Sequence, residues 1–68
     1  MSHNQAFFEP EAITVMTTAF EETLRTLGLV DRTGPASEIV AKKVIELAQL
    51  GERDPIRLRD RAVQSLSV

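Results

Sequence analysis

Apolar residues recur every three to four positions along most of this chain, which is the spacing of an amphipathic α-helix. Three such segments cover about residues 10–27, 36–50 and 55–65. No segment alternates apolar and polar residues between turns, so the pattern predicts no β-sheet. We therefore predict an all-α protein, a compact three-helix bundle over residues 9–66 that follows a flexible tail of residues 1–8.

Glycine and proline mark the predicted ends of these helices. Pro10 suits the first position of the first helix, and Gly28 suits the left-handed position after its last turn. Gly51 is the predicted stop of the second helix. Asp54 followed by Pro55 combines a good N-cap with a good first residue, which predicts that the third helix starts there.

The first helix is predicted to bury one apolar stripe. This stripe consists of Ile13, Met16, Phe20, Leu24 and Leu27. Threonines and charged side chains fall on the opposite side of the helix. Among them, Glu21 and Arg25 are four residues apart, so we expect them to form an ion pair.

The second helix carries a broad apolar arc of about 220°, whereas one neighbouring helix covers a stripe of about 100°. In a chain of 68 residues, the free energy gained by burying apolar surface is about equal to the conformational entropy cost of ordering the chain. The chain also has no cysteine, so no disulfide can stabilise it. Both observations favour a homodimer, while a central helix in a monomeric bundle is the alternative. The predicted oligomer interface comprises Val40, Val44, Ile45, Leu47, Ala48 and, from the third helix, Arg59.

The third helix carries arginines at alternate positions. Arg57 and Arg61 are about 40° apart on its outer face, whereas Arg59 falls inside the apolar arc. A guanidinium there needs either water or a partner. One alternative is that the head of Arg59 reaches water at the edge of the core. The other is an ion pair with an acidic residue of the first helix or of a second subunit.

The second and third helices, with their short connector, resemble the spacing of a helix-turn-helix. In that alternative the third helix enters the major groove of DNA, where Arg57 and Arg61 meet phosphates or guanine. Glu52, Asp54 and Asp60 offset this positive charge, and the net charge of the chain is −2. DNA binding is therefore kept as an alternative function, and small-molecule binding at a subunit interface as a second one.

Candidates for catalysis and for metal binding are few. His3 is the only histidine, and no cysteine is available to join it, so no metal site is predicted. Glu21 and Glu22 are adjacent, and their side chains diverge by about 100° on a helix. The threonines of the first helix have no evident base to activate them. We therefore predict a non-enzymatic interaction or regulatory protein without a cofactor.

The apolar runs are too short and too interrupted for a membrane span. The N-terminal residues lack the basic region and the long apolar run of a secretory signal. Hydrophobic residues make up 43% of the chain and charged residues 26%, which is typical of a soluble fold. The expected location is the cytoplasm.

Two segments, "FEPEAITVMTTAFEETL" and "VAKKVIELAQLGERDPIRLRDRA", resemble a group of short, uncharacterised all-helical proteins of alphaproteobacteria. The similarity covers most of residues 7–62. Its most specific piece is "ELAQLGERDP", a helix stop followed by a helix start. The resemblance implies a bacterial cytoplasmic protein, and it implies no site residue because it contains no catalytic motif.

Overall fold

A computed structural model describes residues 8–66, which form three α-helices and no strand. Helix α1 spans Pro10–Leu27, α2 spans Pro35–Gln49 and α3 spans Pro55–Leu66. The prediction of a three-helix, all-α fold is confirmed, with helix ends that differ from the predicted ones by at most one residue. Most of the predicted tail lies outside the described residues, but Phe8 packs against the core.

Each helix begins with a proline: Pro10, Pro35 and Pro55. A proline is favourable there because the first N–H of a helix has no partner inside the helix. At the start of α3, the Asp54 Oδ1 atom accepts a hydrogen bond from the backbone N–H of Ile56 at 2.9 Å. The predicted N-cap of α3 is therefore confirmed.

Two glycines end the first two helices in left-handed backbone conformations. Gly28 has φ 74°, and the following N–H, that of Leu29, bonds to the Leu24 carbonyl at 2.8 Å. Gly51 has φ 106°, and its own N–H bonds to the Ala48 carbonyl at 2.9 Å. Residues with a Cβ rarely adopt these φ values, so both predicted helix stops are confirmed.

The core is one cluster to which all three helices contribute. Its fully buried members are Ala19, Leu24, Val40, Val44, Ala48, Leu58 and Ala62. The pairing of α1 with α3 is the most extensive of the three helix pairings. Small side chains on both helices, such as Ala19 and Ala62, let the two backbones approach closely.

The buried face of α1 is rotated away from the predicted stripe. Ala12, Ala19 and Thr23 are buried together with Leu24, whereas Ile13 is 53% exposed. The Thr23 hydroxyl donates to the Ala19 carbonyl at 2.7 Å, so its burial leaves no unpaired polar atom. As a result, large apolar side chains of the predicted stripe lie at the border between α1 and α2.

Candidate functional site

The predicted oligomer interface on α2 is divided between the interior and the surface. The other two helices cover Val40, Val44 and Ala48 within a single chain, leaving each at most 2% exposed. Leu47 is partly buried against the same core. Ile45 is 40% exposed and is therefore the α2 residue of this set that is most accessible to a second copy.

Ile45 borders an apolar groove between α1 and α2, with a volume of about 150 Å³. The groove is lined by Ile13, Met16, Thr17, Phe20, Ala41, Val44 and Ile45. The hydroxyl of Thr17 donates to the Ile13 carbonyl at 2.9 Å, so this lining side chain is satisfied by its own helix. The groove therefore presents mainly apolar carbon to whatever covers it.

Arg59 lies at the edge of the core, with its side chain 31% exposed. Its Nε and Nη2 atoms donate to Asp60 Oδ1 at 3.0 Å and 2.8 Å. The carboxylate comes from the neighbouring residue of α3 and not from α1. Within a single chain, the stem of Arg59 covers apolar surface while its head stays near water beside Asp60.

Arg57 and Arg61 both lie on the exposed face of α3. The Nε atom of Arg61 is 3.6 Å from Oε1 of Glu52, whose side chain is only 15% exposed. The side chain of Arg57 makes no hydrogen bond or ion pair with any residue between 8 and 66. A connector carboxylate therefore already partly neutralises one of the two arginines that the DNA-binding alternative requires.

The side chain of Arg53 joins three parts of the fold, although the sequence patterns gave no reason to select it. Its Nη1 atom donates to the carbonyls of Ala48 at 2.6 Å and Glu52 at 3.0 Å. Its guanidinium carbon lies 5.4 Å from the ring centroid of Phe8, and its Nε atom lies 3.9 Å from Oε1 of Glu9. Arg53 thus connects the end of α2, the α2–α3 connector and the segment before α1.

The α1–α2 connector is organised around Asp31. Its Oδ1 atom accepts hydrogen bonds from the backbone N–H and the hydroxyl of Thr33, both at 3.0 Å. Both bonds lower the pKa of Asp31 below its ordinary value of 3.8, and the bond from the backbone N–H has the larger effect. The Ser37 hydroxyl donates to the Asp31 carbonyl and ties the connector to the first turn of α2. These contacts give Asp31 a role in shaping the turn.

The predicted ion pair between Glu21 and Arg25 is wrong. Arg25 Nη1 lies 3.1 Å from Glu22 Oε2, whereas Glu21 pairs with Arg32 of the α1–α2 connector. Three-residue spacing brings helical side chains together as well as four-residue spacing does. These side chains are largely exposed, so each pair stabilises the fold by less than about 1 kcal/mol.

Comparisons with protein-family models, curated proteins and solved structures find no match to this chain. The resemblance to alphaproteobacterial helical proteins therefore stays a prediction. Among residues 8–66, no group of three or more His, Cys, Asp or Glu side chains is placed to hold a metal ion. None of the helices in this range is long and apolar enough to cross a membrane. The fold thus defines a compact all-helical protein whose function has to be argued from its surfaces.

Proposed function

We propose that this protein is a small, non-enzymatic helical module of the bacterial cytoplasm that self-associates and serves an interaction or regulatory role. The observation that supports this proposal best is the apolar groove between α1 and α2. Two isoleucines, Ile13 and Ile45, border the groove and are 53% and 40% exposed. A second copy of the chain is the occupant we propose.

The arrangement of the groove suits helix-on-helix packing. On α1, Ile13, Thr17 and Phe20 follow the three- and four-residue spacing by which helices insert side chains into an apolar groove. Two α1–α2 pairs stacked face to face give a four-helix arrangement, which is a common way to bury such a stripe. Each Å² of apolar surface that the dimer contact removes from water contributes about 25 cal/mol to the free energy of association. Because a chain of 68 residues has a small core of its own, such assembly also stabilises its fold.

Sedimentation velocity or light scattering on the full chain, from low to high micromolar concentration, tests this proposal. Substituting Ile13→Glu or Ile45→Glu places a carboxylate in the contact, where it loses water without gaining a partner. We expect each variant to raise the dimer dissociation constant by at least about tenfold, which corresponds to about 1.4 kcal/mol.

Ile56→Glu is the matched control. Ile56 is an isoleucine of similar exposure, 59%, and it lies on α3 outside the groove. This variant is expected to assemble like the wild type. A wild-type chain that remains monomeric at every concentration contradicts self-association. Equal disruption by Ile56→Glu and Ile45→Glu contradicts the choice of surface.

The DNA-binding alternative makes the opposite prediction for the outer face of α3. If the protein self-associates through the groove, an Arg57→Ala/Arg61→Ala variant is expected to keep the oligomeric state of the wild type. In that case, neither the variant nor the wild type is expected to bind duplex DNA at low salt. Under the alternative, the wild type binds DNA with steep salt dependence and the double variant loses that affinity. A gel-shift titration at two salt concentrations distinguishes the two functions.

A further inference from the structure

The contacts of Arg53 are of two different kinds. Two are hydrogen bonds to backbone carbonyls, and the one to Ala48 is partly buried. The other two are contacts between side chains: the stacking on the half-buried ring of Phe8 and the 3.9 Å approach to the exposed carboxylate of Glu9. Ion pairs between exposed side chains are weak and are screened by salt. Arg53 is therefore fixed to α2 independently of Phe8 and Glu9. Its contact with the Glu9 carboxylate is sensitive to salt, whereas Phe8 is also held by packing against the core.

The side-chain contacts of Phe8 and Glu9 are separate from the hydrogen bonds that form α1. Glu9 is the N-cap residue, yet its side chain makes no capping hydrogen bond and lies near Arg53 instead. The Glu9 carbonyl accepts the Ile13 N–H at 3.1 Å, and this bond does not involve the Glu9 side chain or Phe8. Release of Phe8 and of the Glu9 carboxylate therefore breaks no helical hydrogen bond.

We propose that Phe8, Glu9 and Arg53 form a salt-sensitive clasp, a conformational device that opens by releasing Phe8 and the Glu9 carboxylate from Arg53. Phe8 is half-buried and packs against the core, so its release uncovers apolar surface. A cavity of about 250 Å³ lies beside the clasp, lined by Glu9, Glu11, Ala12, Val15 and Arg53. Glu9 is one of these lining residues, so release of its carboxylate from Arg53 opens that side of the cavity. The clasp is separate from the α1–α2 groove and does not depend on self-association.

A Phe8→Trp variant of the full chain reports on the clasp directly. The sequence contains no tryptophan or tyrosine, so the fluorescence comes from position 8 alone. We expect quenching by neutral acrylamide to increase on the order of twofold when NaCl rises from about 20 mM to about 500 mM, because salt screens the Arg53–Glu9 attraction. A tryptophan that stays equally protected at all salt concentrations overturns the proposal.

Three second-site variants in the Phe8→Trp background identify the cause of any salt dependence. Arg53→Gln is expected to leave the tryptophan accessible at every salt concentration, and Arg57→Gln, the matched arginine control, is expected to behave like its parent. Glu9→Gln keeps both carbonyl hydrogen bonds of Arg53, so it is expected to remove the salt dependence while leaving helix content by circular dichroism unchanged. If Arg53→Gln is also less helical, the tryptophan becomes exposed for another reason. Glu9→Gln tests the ion pair without this complication. Salt dependence that persists in Glu9→Gln overturns the clasp.

Discussion

The guanidinium of Arg53 donates a hydrogen bond to the carbonyl oxygen of Ala48, at 2.6 Å, and so caps α2 from outside the helix. The last carbonyls of a helix have no N–H partner within it and carry partial negative charge. The last turn of α2 contains no basic residue. Arg53 supplies the missing cation from the connector.

Arg53→Ala is therefore expected to lower the free energy of unfolding by about 1–2 kcal/mol, because it removes a charged hydrogen bond at a helix end. Urea unfolding followed by circular dichroism measures the change. Arg57→Ala is the control, since the side chain of Arg57 makes no hydrogen bond or ion pair within residues 8–66. This variant is expected to stay within about 0.5 kcal/mol of the wild type. Equal losses in the two variants would show that Arg53 does not cap α2.

The lowered pKa of Asp31 gives the α1–α2 connector a defined pH dependence. A group whose pKa is lower in the folded chain stabilises the fold above its unfolded pKa, near 3.8, and loses that contribution as the pH falls through the folded value. We expect Asp31→Ala to be less stable than the wild type from about pH 5 to 7. Below about pH 4 the difference is expected to shrink.

Thermal unfolding of both proteins across this pH range checks the expectation for Asp31. Asp31→Asn is a useful companion because its side-chain oxygen can still accept the bonds from Thr33 but carries no charge. Its stability relative to the wild type is expected to improve as the pH falls. If the difference in stability between the wild type and Asp31→Ala is constant from pH 7 to below pH 4, the pKa of Asp31 is not lowered by folding.

Leu58 and Ile56 are two apolar residues of α3 with opposite environments. Leu58 is fully buried, whereas Ile56 is 59% exposed. Leu58→Ala is expected to cost about 2–5 kcal/mol, because it removes buried methyl groups and leaves a cavity. Ile56→Ala is expected to change stability by about 0.5 kcal/mol or less. Denaturant unfolding of the two variants compares them, and similar costs would mean that α3 does not present this face to the core.

Local chemistry made the helices predictable from the sequence. Pro10, Gly28, Gly51 and the Asp54–Pro55 pair each act within one or two turns of the chain, so their effect is visible in the sequence itself. The three-helix fold and its helix ends followed from these residues and from apolar spacing. The turn around Asp31 was also marked by its residue types, although its hydrogen bonds to Thr33 were not.

Interactions between distant parts of the chain were not predictable in the same way. The buried face of α1 includes Ala12, Ala19 and Thr23, which apolar spacing missed because it gives more weight to large apolar side chains than to small or polar ones. The contact between Phe8 and Arg53 joins residues that are far apart in sequence, so no local pattern marks it. The α1–α2 groove is likewise lined by residues of two helices, so the pattern of one helix alone does not predict it.

All three prolines of the chain stand at the first residue of a helix. The proline ring restricts φ to a near-helical value in the unfolded chain as well as in the folded one. At these three positions the backbone therefore favours a helix start even before any tertiary contact forms. The proposed opening of the clasp and the proposed binding of a second copy would then change how the helices pack, without changing the residues at which the prolines favour a helix start.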